Sequence, residues 1–527
     1  MKMPAIEATG ANIIAGRDVR GGSTTFRSVD PRSGREGPVV FVDSTLSEVA
    51  DAAAEAGRAF EAWRGAAARA RAGLLRDIAE RLTALASAIV PIADEETALG
   101  SERLNGELVR TTGQLRAFAD VLDDGSYVQA IITPGDARQT PPRPDVRRML
   151  VPIGPVAVFT PSNFPLAFGV AGGDTASALA AGCPVVVKGH PSHPATSEIC
   201  GRAISAAVAS AGAPAGVFSL LQARDVGVAR ALVTAPEIQA VGFTGSLTAG
   251  RALHDLAAAR PQPIPVYAEM GSLNPLFVAP GAAAARGAAI ADGLAASITL
   301  GTGQFCTKPG VVFVVDDEHG KRVARALAEA VISRKPGTML NRALQDALDR
   351  QASRTASLPG VESLTPQQTS ATIVATSAAT FLETPALQDE HFGPFAVVVR
   401  CATPEEMMAA ARRLGGSLTA TIHADEADAR WAADLASILV EKAGRIVWNG
   451  YPTGVAVVGA MHHGGPYPAS TSAAHTSVGA TAIARFLRPV AFQNVPDVLL
   501  PEALRDDNPL GIQRLLDREW TRDPVRR

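Results

Sequence analysis

Cys306 stands in a glycine-rich loop, Gly301-Thr302-Gly303-Gln304-Phe305-Cys306-Thr307-Lys308-Pro309-Gly310, which runs directly into the apolar stretch Val311-Val312-Phe313-Val314-Val315. A thiolate is the strong nucleophile among side chains, and small flanking residues let a substrate and backbone N–H groups approach it closely. The loop reads as a nucleophile site. A lone cysteine has a plainer use as a small buried hydrophobe, so the choice rests on what the rest of the chain brings to it.

Five short apolar runs precede this loop: Val156–Thr160, Pro184–Lys188, Val217–Leu221, Gln239–Phe243 and Ile264–Ala268, separated by alanine-rich helical segments. Strands that are apolar throughout and alternate with helices predict a parallel sheet covered on both faces, a doubly wound α/β domain. Ligands of such sheets sit beyond the carboxyl ends of the strands. Those ends carry Thr160-Pro161-Ser162-Asn163-Phe164-Pro165, Lys188-Gly189-His190-Pro191, Phe243-Thr244-Gly245-Ser246 and Glu269-Met270-Gly271. No GxGxxG is present, and the turn from Gly245 to Gly250 lacks the Lys-Ser/Thr of a P-loop. Gly245 and Ser246 fit a phosphate contact or a plain turn equally, with Ser246 as a helix N-cap.

Upstream, apolar residues at steps of three and four predict helices from Val49 to Trp63, from Leu74 until Pro91 interrupts it, and from Gly106 to Leu122, the last carrying Arg110 and Arg116. Residues 1 to about 45 read as short strand-like pieces. The segment 127–146, rich in proline near its end, reads as an arm leaving the main domain. With 527 residues, 47% hydrophobic and 5% aromatic, the chain is long enough for two or three domains. A formal charge of -3 leaves no basic footprint for nucleic acid or a membrane surface. The four cysteines form no CxxC pair, which points to a reducing, cytoplasmic setting. The first residues have no apolar core of signal-peptide length, and the longest uncharged run, Met149 to Gly173, holds four prolines and is a poor membrane span. A soluble protein is expected.

Taken in order, Pro161-Ser162-Asn163-Phe164-Pro165, Lys188, Phe243-Thr244-Gly245-Ser246, Glu269-Met270-Gly271, Gly303-Gln304-Phe305-Cys306 and Glu390-His391-Phe392-Gly393-Pro394 resemble the aldehyde dehydrogenase superfamily over residues 25 to 495 or so. Gly172-Gly173-Asp174-Thr175-Ala176-Ser177-Ala178-Leu179 and Gly464-Gly465-Pro466-Tyr467-Pro468-Ala469-Ser470 look like the branch that contains α-ketoglutaric semialdehyde (2,5-dioxovalerate) dehydrogenases. The resemblance implies a Rossmann-type cofactor domain (1–126 and 147–268), an α/β catalytic domain (269–475), and an oligomerisation arm with a C-terminal tail (127–146 and 476–527). In the catalytic domain, Gly310–Val315, Ala371–Ala375, Phe395–Val399 and Leu418–Ile422 would be strands. The segment Thr476 to Asn494 would pair with the arm, in a homodimer or homotetramer.

By the same resemblance, Cys306 attacks an aldehyde to give a thiohemiacetal, which becomes a thioester as hydride leaves for a nicotinamide. Asn163, with the Cys306 backbone N–H, would stabilise the oxyanion; losing one such donor typically costs roughly 10²–10³ in rate. Glu269 would activate the hydrolytic water, its pKa held up by the apolar neighbours Val266, Tyr267, Ala268 and Met270. Two positions depart from the family pattern: Ser272 replaces a usual glycine and Leu273 a usual lysine. Lys188, Gly245, Ser246, Glu390 and Phe392 would hold the cofactor. No acid follows Lys188 in its turn, and with Arg224 after the third strand this favours NADP over NAD. Arg110, turned inward, would take the far carboxylate of a semialdehyde, with Phe164 beside it and Arg116 in structural contacts. Each residue also has an ordinary alternative: an Asx-turn for Asn163, a solvated strand end for Glu269, a turn residue for Phe392, and a water-facing side chain for Arg224 and Arg110. Rival functions are a CoA-acylating relative, against which Glu269 argues, a dehydrogenase of medium or long aliphatic aldehydes, and a relative that only binds. His391, His462, His463 and His475 match no metal-ligand spacing and read as scattered structural histidines, so no metal is expected.

Overall fold

The computed structural model describes residues 7–335, 337–366 and 369–526. The N-terminal residues read above for a leader fall largely outside that range.

A first sheet of seven strands runs in the order Val266–Glu269, Ala240–Thr244, Val156–Phe159, Val185–Gly189, Phe218–Gln222, Asn12–Ile14, Arg17–Val19. The first five are parallel, at the positions the apolar runs predict within one or two residues, and the two N-terminal strands add antiparallel at one edge. Alternate residues point to opposite faces of a strand, and here both faces are covered. Val156, Val158, Val185 and Val187 enter one core with the helices Ala68–Ala84 and Ser101–Asp124. Ala157, Phe159, Val186 and Val241 enter another with the helix Leu46–Trp63. That last helix starts on a capping box, Thr45 Oγ1 accepting from Glu48 N and the Glu48 carboxylate accepting from Thr45 N.

The chain leaves this sheet after Glu269 and enters a second one at Pro275, six residues on. The second sheet runs Glu362–Ser363, Thr372–Ser377, Phe395–Cys401, Val311–Val315, Pro275–Val278, Ser417–His423, Ala443–Trp448, parallel except for its two-residue edge strand. It too is apolar on both sides: Phe277, Phe313 and Val397 face one core, and Leu276, Val312 and Val398 the other.

A third sheet, in the order Leu487–Gln493, Val146–Pro152, Ile131–Thr133, Arg514–Leu516, Glu519–Thr521, joins the arm to the tail. The partner of Leu487–Gln493 is therefore the strand Val146–Pro152, reaching past the boundary expected at residue 146. The tail contributes two strands, and Arg147, 1% exposed, is neutralised there by Asp145 and Asp506.

Two local expectations are corrected. Pro91 does not end its helix; the break falls at Leu85, and Pro91 lies inside Ala86–Thr97. The N–H it lacks would have bonded the carbonyl of Ser87, an exposed residue whose carbonyl water can satisfy. Arg116, expected in structural contacts, is exposed.

Candidate active site

The ends of the first and second sheets face each other across a cavity of about 590 Å³. Asn163, Phe164, Lys188, Arg224, Gly245, Ser246, Glu269, Cys306, Glu390 and Phe392 all line it, so residues spread over 230 positions of sequence converge on one space.

The Cys306 loop is fixed from several sides. Asn274, at the crossing between the sheets and in the left-handed region (φ 50), donates through Nδ2 to the carbonyls of Cys306 (2.8 Å) and Lys308 (2.9 Å). Asn163 donates through Nδ2 to the Gln304 carbonyl at 2.9 Å, which sets its amide next to the loop with one N–H remaining. Gln304 is wholly buried, accepting from Leu340 N and donating to the Gly301 carbonyl. Gly303 has φ 65 and backs onto the next loop so closely that a Cβ would lie 2.3 Å from the Gly393 carbonyl carbon. Only glycine meets both demands. Ser272, one of the two departures from the family pattern, ties the crossing in place: its hydroxyl donates to Asn274 Oδ1 at 2.7 Å and accepts from Leu418 N at 2.9 Å.

Glu269 ends its strand 4% exposed. Its Oε2 lies 2.9 Å from His463 Nε2 and 2.9 Å from Ser477 Oγ. The Cys306 Sγ is 3.5 Å from the same His463 nitrogen. Burial pushes the Glu269 carboxyl up, but the charge and hydrogen bonds of His463 and the Ser477 hydroxyl outweigh it and hold the group below the ordinary carboxylate range. The expectation that apolar neighbours keep this acid raised is thus corrected: the sequence neighbours are apolar, and the spatial ones are donors. Burial, and next the adjacent Glu269 charge, push the Cys306 thiol well above its ordinary value. His463 is also no scattered structural histidine, since its ring nitrogen joins both groups.

Farther along the cavity, Lys188 Nζ donates to the Ala223 carbonyl at 2.8 Å, and burial brings its ammonium down to about 8. Arg224 is exposed, stacked 5.2 Å over the Phe26 ring and donating to the Thr25 carbonyl. The neighbouring Asp225 lines the cavity too, with its carboxylate engaged as N-cap of the helix Val226–Thr234 through Gly227 N. Ser246 caps the helix Leu247–Ala258, accepting from Ala249 N, and Gly245 precedes it at the strand end. That helix N-terminus, with Lys188 nearby, suits an anionic dinucleotide. On the opposite wall Glu390, its pKa raised by burial, comes so close to Gly271 that a Cβ there would lie 2.3 Å from Oε2.

Arg110 stands one layer back. Its guanidinium lies 5.7 Å from the Phe164 ring and 5.3 Å from that of Phe168, and Nε and Nη2 are buried with no hydrogen-bond partner among the described residues. It is close enough to feel the charges of Glu107, Cys306 and Glu269. Phe164 packs edge-on against Phe168 and Phe305. Arg103, which the sequence did not single out, lies over the same Phe164 and Phe305 rings and donates to the Asn163 carbonyl at 2.7 Å.

A thiol and a strand-end carboxylate thus lie within 4.8 Å of each other on one cavity between two α/β sheets. Residues 19–488 match the sequence model of the aldehyde dehydrogenase family, and the chain belongs to that family; it is an NAD(P)-dependent enzyme that oxidises aldehydes to acids. It is 48% identical over 522 residues to α-ketoglutaric semialdehyde dehydrogenase 2 of Azospirillum brasilense, covering 97% of this chain and 99% of that one. Identity to the α-ketoglutaric semialdehyde dehydrogenase of Acinetobacter baylyi is 41% over 520 residues, covering 97% and 98%. The fold matches aldehyde dehydrogenase C of Pseudomonas syringae, solved with NAD+ and octanal, with a TM-score of 0.78 at 20% identity over 93% of this chain and 97% of that one.

Proposed function

We propose that this enzyme oxidises α-ketoglutaric semialdehyde to α-ketoglutarate, with NADP preferred over NAD. The observation that carries the substrate assignment is Arg110. A buried guanidinium edge without a partner is costly unless an anion completes it, and the two relatives of 48% and 41% identity are named for a semialdehyde that ends in a carboxylate. The aromatic cluster of Phe164, Phe168 and Phe305, with Val455, Val457 and Met461 around it, would by itself suit an aliphatic aldehyde. The guanidinium edge without a hydrogen-bond partner among the described residues favours the carboxylated one.

Cys306 is the nucleophile. Its sulfur adds to the aldehyde carbon, and the remaining Asn163 amide N–H, with the Cys306 backbone N–H, receives the oxyanion. The bound nicotinamide supplies the hydride acceptor. Glu269 then takes a proton from the water that hydrolyses the thioester, with the charge of its carboxylate preserved by His463 and Ser477. This buried base beside the thiol supports release by water rather than by CoA.

Lys188, Arg224, Gly245, Ser246, Glu390 and Phe392 hold the cofactor. Lys188 and Arg224 are cations available to a 2′-phosphate, with Arg230 also on the cavity, and the nearby acid Asp225 is occupied as a cap, which supports the NADP preference. The first sheet serves the cofactor and the second presents the nucleophile. The third, whose strand Leu487–Gln493 pairs on one side only among the described residues, supports assembly as a homodimer or homotetramer. No helix among the described residues is long and apolar enough to cross a membrane. Free cysteines throughout the described chain support a reducing, cytoplasmic setting.

The test is kcat/KM for a panel of semialdehydes and hexanal with each nicotinamide cofactor. Preference for hexanal over every semialdehyde would discard the substrate, and a higher value with NAD would discard the cofactor preference.

A further inference from the structure

The reaction as derived gives His463 no task beyond holding Glu269, yet this residue is 2% exposed and its Nε2 reaches both reacting groups, at 2.9 Å from Glu269 Oε2 and 3.5 Å from Cys306 Sγ. Its place is fixed by its own backbone N–H donating to Thr476 Oγ1 at 2.8 Å and by the Phe168 ring at 6.2 Å. We propose that His463 is a further catalytic residue, whose Nε2–H donates to whichever of Glu269 and Cys306 carries the negative charge and so allows the thiol proton to pass to Glu269 before attack. This deepens, and rests on, the reading of Cys306 as nucleophile.

The physical need is plain. The carboxylate, sulfur and ring-nitrogen atoms of Glu269, Cys306 and His463 lie within 4.8 Å of one another, and two anions that close, one of them buried, repel. The thiol can ionise only as the carboxylate is neutralised. Glu269 Oε1 is buried and has no hydrogen-bond partner among the described residues, so it is the oxygen free to take the proton. In that step the S–H bond breaks, its electron pair stays on sulfur, and an O–H bond forms on Oε1. The negative charge has moved from the carboxylate to the sulfur, and no bond of His463 has broken. Its Nε2–H then turns from a neutral acid to the thiolate, the better acceptor. Once the thioester has formed, Glu269 releases its proton to solvent, and the carboxylate regains the His463 hydrogen bond before it takes a proton from water. Other charges face the same space: Arg110 on its helix and Arg445 on the strand Ala443–Trp448 favour the thiolate, Glu390 opposes it, and His462 adjoins His463.

The test is the pH profile of Cys306 alkylation by iodoacetamide, followed on the peptide by mass spectrometry without aldehyde. The other three cysteines are buried. In His463→Leu the apparent thiol pKa should rise by about one unit, slowing alkylation at neutral pH about tenfold. In His463→Gln the amide reaches the Nε2 position, and the profile should stay near wild type. In His463→Asn the amide reaches only the Nδ1 position, and the profile should follow the leucine variant. NADP binding verifies the fold of each variant, and should the leucine variant not bind, the Gln–Asn comparison decides. A wild-type profile in His463→Leu, or equal profiles for Gln and Asn, overturns the proposal. The nucleophile reading fails by a different result, aldehyde turnover in Cys306→Ala.

Discussion

The two ends of the cavity are held by different means. Around Cys306, groups from both sheets are buried and tied by hydrogen bonds: Asn163 to Gln304, Asn274 to the Cys306 carbonyl, Glu269 to His463 and Ser477. Around Lys188, the side chains nearest the proposed 2′-phosphate, Arg224 and Asp225, are exposed and anchored mainly through backbone groups. Buried polar networks transmit the loss of one member to the others, whereas an exposed charge in water contributes little beyond itself. Chemistry should therefore be brittle to substitution and cofactor choice adjustable.

Cys306→Ala should have the largest effect: aldehyde oxidation falls to background while the Kd for NADP, measured by fluorescence titration, changes little, because the thiol bonds to substrate only. Weak cofactor binding in that variant would mean that the two ends are not separable. Glu269→Gln comes next. Hydride transfer should still occur once per site, because the neutral amide, although it takes no proton, no longer opposes the thiolate, giving a stopped-flow burst of reduced cofactor before slow turnover; with no burst, passage of the thiol proton to Glu269 would be indispensable to attack, and its role in releasing the acid would lose its support. For Arg110→Leu the expected loss is about 1.5–3 kcal/mol in kcat/KM for a carboxylated aldehyde, the scale of a charged hydrogen bond, with hexanal unchanged or improved. Equal losses on both substrates would make Arg110 a support for its helix. The smallest effect belongs to the exposed end: Arg224→Ala should lower the NADP-to-NAD ratio of kcat/KM by about tenfold or less. Lys188 adds a pH signature. With its ammonium brought down to about 8, the group is charged below that pH and neutral above it, so affinity for NADP should decline more than that for NAD as pH rises through 8. Parallel decline for both cofactors would take Lys188 away from the 2′-phosphate.

The sequence was most informative where local pattern decides structure. The parallel strands of the first sheet are continuous apolar runs because both faces are covered, and the residues just past their ends line the cavity. Pro275–Val278 gives no such signal because it begins only six residues after Glu269, too close for a strand of the same sheet, and it belongs to the other one. Ala443–Trp448 is an edge strand with a mixed burial pattern and little periodic signal. The site was legible in its strand-end residues and its cysteine loop. His463 was not, since it meets Cys306 across 157 positions and no spacing rule covers that distance. The same cause produced the wrong sign for Glu269, whose electrostatics are set by two donors roughly two hundred residues away in sequence and not by the apolar residues beside it.

The most direct measurement is intact-protein and peptide mass spectrometry of the Glu269→Gln enzyme, quenched in acid after one turnover with NADP and α-ketoglutaric semialdehyde. Covalent catalysis with hydrolytic release predicts the α-ketoglutaryl thioester on the Cys306 peptide, at one per active site and with one reduced cofactor formed for each. Reduced cofactor without an adduct, or an adduct on a peptide lacking Cys306, would contradict it.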